Sequence, residues 1–192
     1  MALLLRGFGW RAVGYVLVCL ALGAGCSVAA VKYTVGRRAY GYSGWGEVFV
    51  FLFFGLVAVC GGTFLYMGRW DALWLLPGAA LGLLSSGVLH LNNLRDAEGD
   101  RANGKNTLAS RMSLRGGLAF QCGLIVGAIV LLLVYMDATY RMTLWYLPTA
   151  LCLINIPLTV QIKRREEADK LLKVLSLSTM AMCAVFAVAG NV

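Results

Sequence analysis

Charged side chains are scarce in this chain. Asp, Glu, Lys and Arg together make up 14% of its 192 residues, and there is one histidine. Soluble globular domains carry about 25% charged residues. The hydrophobic residues instead reach 60% of the sequence, and the mean hydropathy is +0.76. This balance excludes an ordinary soluble domain and predicts a protein that crosses a membrane several times.

Long apolar runs divide the sequence into regular segments. Runs of about 20 apolar residues span a bilayer core, and they must be helical because lipid offers no partner to backbone N–H and C=O groups. No linker rich in proline or serine separates the runs, and no internal repeat is present. We predict an all-α polytopic membrane bundle of about six transmembrane helices, forming one domain over residues 1–192. The predicted spans are 10–31, 48–66, 73–91, 118–136, 143–161 and 174–190.

Three prolines and several small residues lie inside these spans. Pro77, Pro148 and Pro157 predict kinks or breaks, because proline cannot donate a helical hydrogen bond. Small residues recur at four-residue spacing, which allows helix backbones to approach closely in lipid. These residues are Gly23 with Ser27, Gly78 with Gly82 and Ser86, and Gly123 with Gly127.

The six cysteines also fall inside apolar runs, with no CxxC pair and no histidine cluster beside them. We expect small buried hydrophobic side chains rather than disulfides or zinc ligands. A cleaved lipoprotein-like signal ending at Cys26 is less favoured, because Gly23 stands where a bulky aliphatic residue is expected. His90 ends the third run. It is either a packed histidine or a residue near a polar site.

The net charge of +8 is unevenly distributed. Most basic residues lie in the connections 32–47, 92–117 and 162–173, which share one side if six spans alternate. This positive-inside pattern predicts a plasma (inner) membrane protein whose polar connections face the cytoplasm, and it does not indicate a nucleic-acid partner. Arg6 and Arg11 conflict with that topology, because a short basic start prefers the inside. An odd number of further spans upstream would remove the conflict.

The most polar segment of the chain follows the third run. Asn92, Asp96 and Asp100 are four residues apart, so on a helix they line one face. Two carboxylates and an amide oxygen are suitable ligands for Mg²⁺, which keeps waters and takes further oxygens from substrate phosphates. Gly104, Lys105 and Thr107 add a flexible turn, a cation and a hydroxyl. The alternative is a solvated charged loop with local ion pairs.

Two segments resemble a known family. The first resembles the second aspartate-rich motif of the UbiA superfamily of intramembrane prenyltransferases, and is closest to the branch that prenylates 1,4-dihydroxy-2-naphthoate in menaquinone biosynthesis. It reads Asn92-Asn93-x-Arg95-Asp96-x-x-x-Asp100-x-x-x-Gly104-Lys105-x-Thr107-Leu108. The second, Lys32 to Glu47, resembles that branch's loop after its fourth helix. Ala39 stands where a proline is common, and Met112-Ser113 where Leu-Gly is frequent.

The resemblance implies a larger arrangement than this chain holds. Family members have about nine membrane helices and two aspartate-rich motifs, of which the second lies between helices six and seven. The chain therefore corresponds to helices four to nine. The first motif, an Asn-Asp-x-x-Asp pattern, is not found upstream of Lys32. We expect an N-terminally truncated chain that turns over little substrate alone, and three missing helices would also explain the conflict over topology.

The resemblance further implies the chemistry and the site. Mg²⁺ would bind the diphosphate of a polyprenyl diphosphate, and 1,4-dihydroxy-2-naphthoate would attack the resulting allylic cation with loss of CO₂, while membrane lipid surrounds the helices. Asn92, Asp96 and Asp100 would hold the metal, with Asp96 and Asp100 as the catalytic carboxylates. Lys105, with Arg95 or Arg101, would neutralise diphosphate oxygens. Tyr33, Arg37, Arg38 and Tyr42 would cap the site or anchor the loop at the membrane surface.

Two other functions remain open. One is a prenyltransferase for another aromatic acceptor, of the ubiquinone, plastoquinone, tocopherol or haem O type. The other is a non-catalytic membrane subunit or a small transporter, which is less favoured because the predicted spans hold almost no ionisable residue away from their ends.

Overall fold

The computed structural model describes residues 13–34, 40–139 and 146–189, and these residues form helices joined by short turns. No strand occurs within the described ranges, so the all-α prediction is confirmed. Short 3₁₀ turns cover Tyr40–Tyr42, Ala72–Trp74, Ala109–Arg111 and Arg165–Glu167. The helices are α1 (Val13–Thr34), α2 (Gly46–Met67), α3 (Leu75–Ala102), α4 (Leu114–Thr139), α5 (Tyr146–Leu153), α6 (Asn155–Val160) and α7 (Ala168–Ala189).

Four helical stretches of the described residues are long and apolar enough to cross a membrane. They are Val16–Tyr33, Gly46–Met67, Ala72–Ala102 and Leu114–Thr139, and they confirm the first four predicted spans. The fifth predicted span is divided into α5 and α6, which meet at Ile154, and its start lies outside the described residues. Pro157 explains the division, because its ring clashes with the carbonyl of Leu153 and it lacks an amide hydrogen. The sixth lies within α7 up to Ala189, and its last residue lies outside the described residues; α7 begins at Ala168 rather than at 174.

Helix α3 departs from the prediction at both ends. Pro77 lies in its first turn, where the missing amide hydrogen costs no helical bond, and α3 runs unbroken for 28 residues. The kink predicted at Pro77 is therefore absent. The helix also continues past the predicted end at 91 to Ala102. The first part of the predicted 92–117 connection is thus helical, and its polar face extends from the bundle on a rigid element.

Helices α2 and α3 approach closely at glycines. A Cβ added to Gly55 would overlap Gly82, and one added to Gly82 would lie 2.7 Å from the carbonyl oxygen of Phe51. The chain around Gly55 is π-helical over Phe51–Val57. One turn further, the Ser86 hydroxyl donates to the carbonyl oxygen of Glu47 at 2.8 Å. The packing predicted for Gly78, Gly82 and Ser86 is confirmed, whereas nothing in the described residues lies within 4 Å of a Cβ at Gly23.

The core surrounds α3, which packs against α2, α4 and α7. Its fully buried side chains include Leu84, Leu91, Ile125, Leu132 and Leu175. All six cysteines are free; Cys60 and Cys152 are buried, as expected for small hydrophobic side chains, and the others are half-buried. This packing fixes the axis and rotation of α3, and therefore the direction in which its polar end points.

Candidate metal and diphosphate site

The last three turns of α3 carry the three side chains that the sequence analysis predicts to be metal ligands. Asn92, Asp96 and Asp100 all lie within α3, and each is half-buried. Their spacing places them on successive turns of one helix face. We call this row of three side chains the oxygen ladder. A ladder on one continuous helix is held more rigidly than the same residues on a loop.

Arg95 binds the first two members of the ladder. Its Nη2 donates to Asn92 Oδ1 at 2.8 Å and to Asp96 Oδ2 at 2.9 Å, while its Nε donates to Asp96 Oδ1 at 2.7 Å. Its Nη1 donates to Asp169 Oδ1 at 2.9 Å. Asp169 lies in the first turn of α7. Its contact with Arg95 was not predicted, because the two residues are 74 positions apart in the sequence.

Lys105 folds back over the third member. Its Nζ lies 3.3 Å from Asp100 Oδ1 and 3.2 Å from Oδ2. Gly104 makes this turn with φ of 72°, a conformation that favours glycine. The backbone amide of Lys105 also donates to the carbonyl oxygen of Asp100 at 2.8 Å. Asp100 Oδ2 is buried and receives no directed hydrogen bond, so its contact with Lys105 is an ion pair.

Arg101 and Thr107 have structural partners instead. The Nε of Arg101 lies 3.2 Å from the carbonyl oxygen of Ser110, and Thr107 Oγ1 accepts from the Ser110 amide at 3.1 Å. Both contacts shape the turn at Ala109–Arg111. The structure therefore brings Arg95 and Lys105 to the oxygen ladder, whereas Arg101 holds the backbone beyond it.

The turn at residues 40–46 lies against the loop that follows α3. The amide of Asn106 donates to the carbonyl oxygen of Tyr42 at 2.9 Å, and Lys105 Nζ lies 6.0 Å from the centre of the Tyr42 ring. The ring of Tyr33 packs beside Gly41, where a Cβ would lie 2.7 Å from the Tyr33 carbonyl oxygen. Tyr33 and Tyr42 thus adjoin the site. Arg37 and Arg38 lie outside the described residues.

A buried polar network lies behind the ladder. Asn93 Nδ2 donates to Glu47 Oε1 at 3.1 Å, and His90 Nδ1 lies 3.8 Å from the same oxygen. His90 is fully buried, with Nε2 3.0 Å from the carbonyl oxygen of Gly117 and its ring edge-on to Phe120. His90 is therefore a packed histidine one helical face away from the ladder. The one sequence feature that could have indicated this network is Glu47, an acidic residue at the start of an apolar run.

Neighbouring basic residues and backbone hydrogen bonds favour the ionised form of two acids at the start of α7. Lys173 and, secondarily, Arg95 hold the pKa of Asp169 below its ordinary value. Hydrogen bonds from the backbone of Lys163 and of Arg164 lower the pKa of Glu167 against a smaller opposing effect of desolvation. Asp169 is therefore anionic at neutral pH, and its two oxygens are paired with Arg95 and Lys173.

The oxygen ladder fits a magnesium ion in donor type and leaves its coordination incomplete. Magnesium takes six oxygens, commonly one or two carboxylates, several waters and substrate phosphates. Among the described residues, no group of three or more His, Cys, Asp or Glu side chains is placed to hold a metal alone. In donor type, the two aspartates and the asparagine oxygen of the ladder suit an ion whose remaining ligands are water and phosphate oxygens.

Comparisons with known proteins give the chain a family context. The model of the UbiA prenyltransferase family matches residues 1–189. The 1,4-dihydroxy-2-naphthoate octaprenyltransferase of Escherichia coli (strain K12) is 41% identical over 116 residues, which cover 60% of this chain and 38% of that protein. The protein of the same name from Mycobacterium tuberculosis is 45% identical over 121 residues, covering 62% and 41%.

A eukaryotic relative is more distant. The UbiA prenyltransferase domain-containing protein 1 of Dictyostelium discoideum is 31% identical over 113 residues, covering 59% of this chain and 34% of that protein. The chain thus matches less than half the length of these curated relatives. No solved structure matches significantly.

Proposed function

Because the chain belongs to the UbiA prenyltransferase family, we propose that it supplies part of an enzyme that transfers a polyprenyl group from polyprenyl diphosphate to 1,4-dihydroxy-2-naphthoate. The names of the relatives from Escherichia coli and Mycobacterium tuberculosis support this acceptor. The observation that carries the proposal is the oxygen ladder on α3, over which Lys105 folds.

The residues of the ladder have distinct roles in this proposal. Asn92, Asp96 and Asp100 bind the cation that accompanies the diphosphate. Lys105 supplies a point charge and Arg95 a planar fork of donors, both suited to phosphate oxygens. Bound Mg²⁺ would stabilise the negative charge that develops on the departing diphosphate. Asp96 and Asp100 are the catalytic carboxylates in the sense that they would hold the cation to which the leaving diphosphate binds.

The apolar side of the site suits the polyprenyl tail. A cavity of about 550 Å³ lies between α1 and α2, with Ala30, Phe49 and Phe53 in its wall and Tyr33 at its edge. Tyr33 packs beside the turn that adjoins Lys105. An apolar wall next to a charged end matches a donor with a hydrocarbon tail and a diphosphate head. It also excludes water from a reactive allylic carbon.

The chemistry of the proposed acceptor determines which bonds form and which break in the transfer. The electron-rich ring attacks the allylic carbon, so a C–C bond forms as the C–O bond to the diphosphate breaks. The ring carbon that forms the new bond loses its carboxylate as CO₂, and the electron pair of the broken C–C bond restores the aromatic ring. The diphosphate leaves with the electrons of the C–O bond, which is where Lys105 and Arg95 act.

The chain carries one of the family's two aspartate-rich motifs, so we expect weak or no turnover from these 192 residues alone. The three polar connections would face the cytoplasm of a plasma membrane. The donor head and the acceptor would then meet at that surface, with the tail in the bilayer.

Co-expression tests this function. Membranes holding this chain together with the N-terminal part of the Escherichia coli relative should release labelled CO₂ from carboxyl-labelled 1,4-dihydroxy-2-naphthoate and polyprenyl diphosphate. Each polypeptide alone should release little. Prenylation of 4-hydroxybenzoate without CO₂ release would favour a ubiquinone-type acceptor instead. No transfer to any aromatic acceptor would favour a non-catalytic membrane subunit.

A further inference from the structure

Arg95 occupies the oxygens that the proposed function gives to a metal ion. Its Nε and Nη2 donate to Asn92 Oδ1 and to both carboxylate oxygens of Asp96. A guanidinium and a divalent cation compete for these oxygens, because their like charges repel at such short range. Arg95 must therefore withdraw from Asn92 and Asp96 before a metal can bind there.

Asp169 offers Arg95 an alternative partner that does not belong to the ladder. It lies on α7, and Arg95 reaches it through Nη1, the nitrogen that does not contact Asn92 or Asp96. Asp169 binds Lys173 through its other oxygen, Oδ2, at 2.7 Å. The Nη1 bond can therefore persist while Nε and Nη2 lose their partners, which leaves those two donors free for an anion.

We infer that Asp169 is a positioning residue: it retains Arg95 when a divalent cation takes Asn92 and Asp96, and so turns the released donors of Arg95 toward the diphosphate. The inference rests on the proposed function of the oxygen ladder. All three charged side chains are accessible to an entering ion, with exposed fractions of 33% for Arg95, 43% for Asp96 and 36% for Asp169.

The exchange predicts opposite effects of two substitutions. Asp169→Asn leaves Arg95 with Asp96 as its main anionic partner, so divalent cation binding should weaken by about two- to fivefold, the scale of a partly exposed ion pair. Arg95→Gln removes the competitor, so cation binding without an anion should tighten. The same variant should bind pyrophosphate less well, because a bidentate donor has been lost.

The loss of a nearby negative charge would weaken cation binding on its own, so a charge-matched control is required. Glu98→Gln removes one exposed carboxylate from α3 without touching the Arg95 contacts. The decisive comparison is the double variant. In the Arg95→Gln background, Asp169→Asn should weaken cation binding no more than Glu98→Gln does, because Asp169 then has no arginine to hold.

The experiment uses the 192-residue chain in detergent, with free Mn²⁺ measured by electron paramagnetic resonance, first alone and then with inorganic pyrophosphate. The inference is supported if Asp169→Asn binds Mn²⁺ more weakly than Glu98→Gln does, and if this difference disappears when Arg95→Gln is also present. Equal effects of the two variants, or a persistent effect in that background, overturn it while leaving the metal site intact. If the unaltered chain binds no Mn²⁺ under either condition, both the metal assignment and this inference are wrong.

Discussion

At the scale of single residues, burial decides how much each polar side chain matters to stability. Glu47 and His90 are 5% and 0% exposed, and Asn93 donates to Glu47 within the same network. A buried donor that loses its acceptor still carries its full desolvation free energy, with no hydrogen bond to offset it. The ion pairs of Arg95 with Asp96 and Asp169 are partly exposed, so water screens them and they contribute less to the free energy of unfolding. The network behind the ladder therefore stabilises the contact between α2 and α3.

We expect Glu47→Ala to lower the free energy of unfolding by about 1–3 kcal/mol, because Asn93 Nδ2 loses its acceptor in a buried position. Glu47→Gln keeps a carbonyl oxygen and should cost less. Unfolding of the purified chain by a denaturing detergent measures both, with Glu166→Ala at an exposed position as the control. An alanine variant as stable as the control would show that the network carries no stabilising energy.

At the scale of elements, the contact between α2 and α3 depends on glycine. Gly55 in the π-helical segment faces Gly82, and no space remains for a methyl group at either position. The small-residue spacing of Gly78, Gly82 and Ser86 predicted this close approach on α3. The face of α2 that contacts α3 could not be predicted. A π-helical segment rotates the following side chains around the helix axis, and the sequence composition does not reveal where such a segment occurs.

We expect Gly55→Ala to destabilise the chain by about 1–3 kcal/mol, because the added methyl group forces the two helices apart. Gly62 lies in the same helix with nothing within 4 Å of a Cβ. Gly62→Ala should stabilise the chain by up to about 1 kcal/mol through helix propensity. Thermal unfolding in detergent compares the two variants. Equal changes in both would contradict the tight contact seen at Gly55.

Helix boundaries show which parts of the fold depend on local sequence. The first four spans follow from hydropathy alone, and the division of the fifth at Ile154 follows from Pro157. The extension of α3 to Ala102 was less predictable, since its last turns are polar and gain their order from partners elsewhere. Arg95 reaches Asp169 on α7, and Asn106 donates to Tyr42 before α2.

At the scale of the whole molecule, the three polar connections meet at one end of the bundle. Arg111 Nη2 donates to the Ser43 carbonyl oxygen at 3.1 Å, and Arg165 Nη2 donates to the Met112 carbonyl oxygen at 2.8 Å. The sequence placed the connections on the same side by their excess of basic residues, and the contacts agree. Spacing along α3 likewise predicted the oxygen ladder. Asp169 and Glu47 required the tertiary structure, because their partners are 74 and 46 residues away.

We expect Ser43→Cys and Ala102→Cys, each in a background without native cysteines, to react with a membrane-impermeant thiol reagent from the cytoplasmic side. Arg69→Cys, at the opposite end of α2, should react from the other side. Intact cells and inverted membrane vesicles distinguish the two orientations. Labelling of positions 43 and 102 from the outer side would reverse the proposed topology.

The most direct test of the account is magnesium-dependent binding of pyrophosphate to the chain, measured by titration calorimetry in detergent. Asp96→Asn and Asp100→Asn should each weaken binding by about tenfold or more, since each removes a charged ligand from the ladder. Glu98→Gln, on the same helix, removes a charge but no member of the ladder, so it should weaken binding far less than tenfold. Binding that persists in both asparagine variants, or that is unchanged when magnesium is chelated, would contradict the claim that the oxygen ladder holds a metal and its diphosphate.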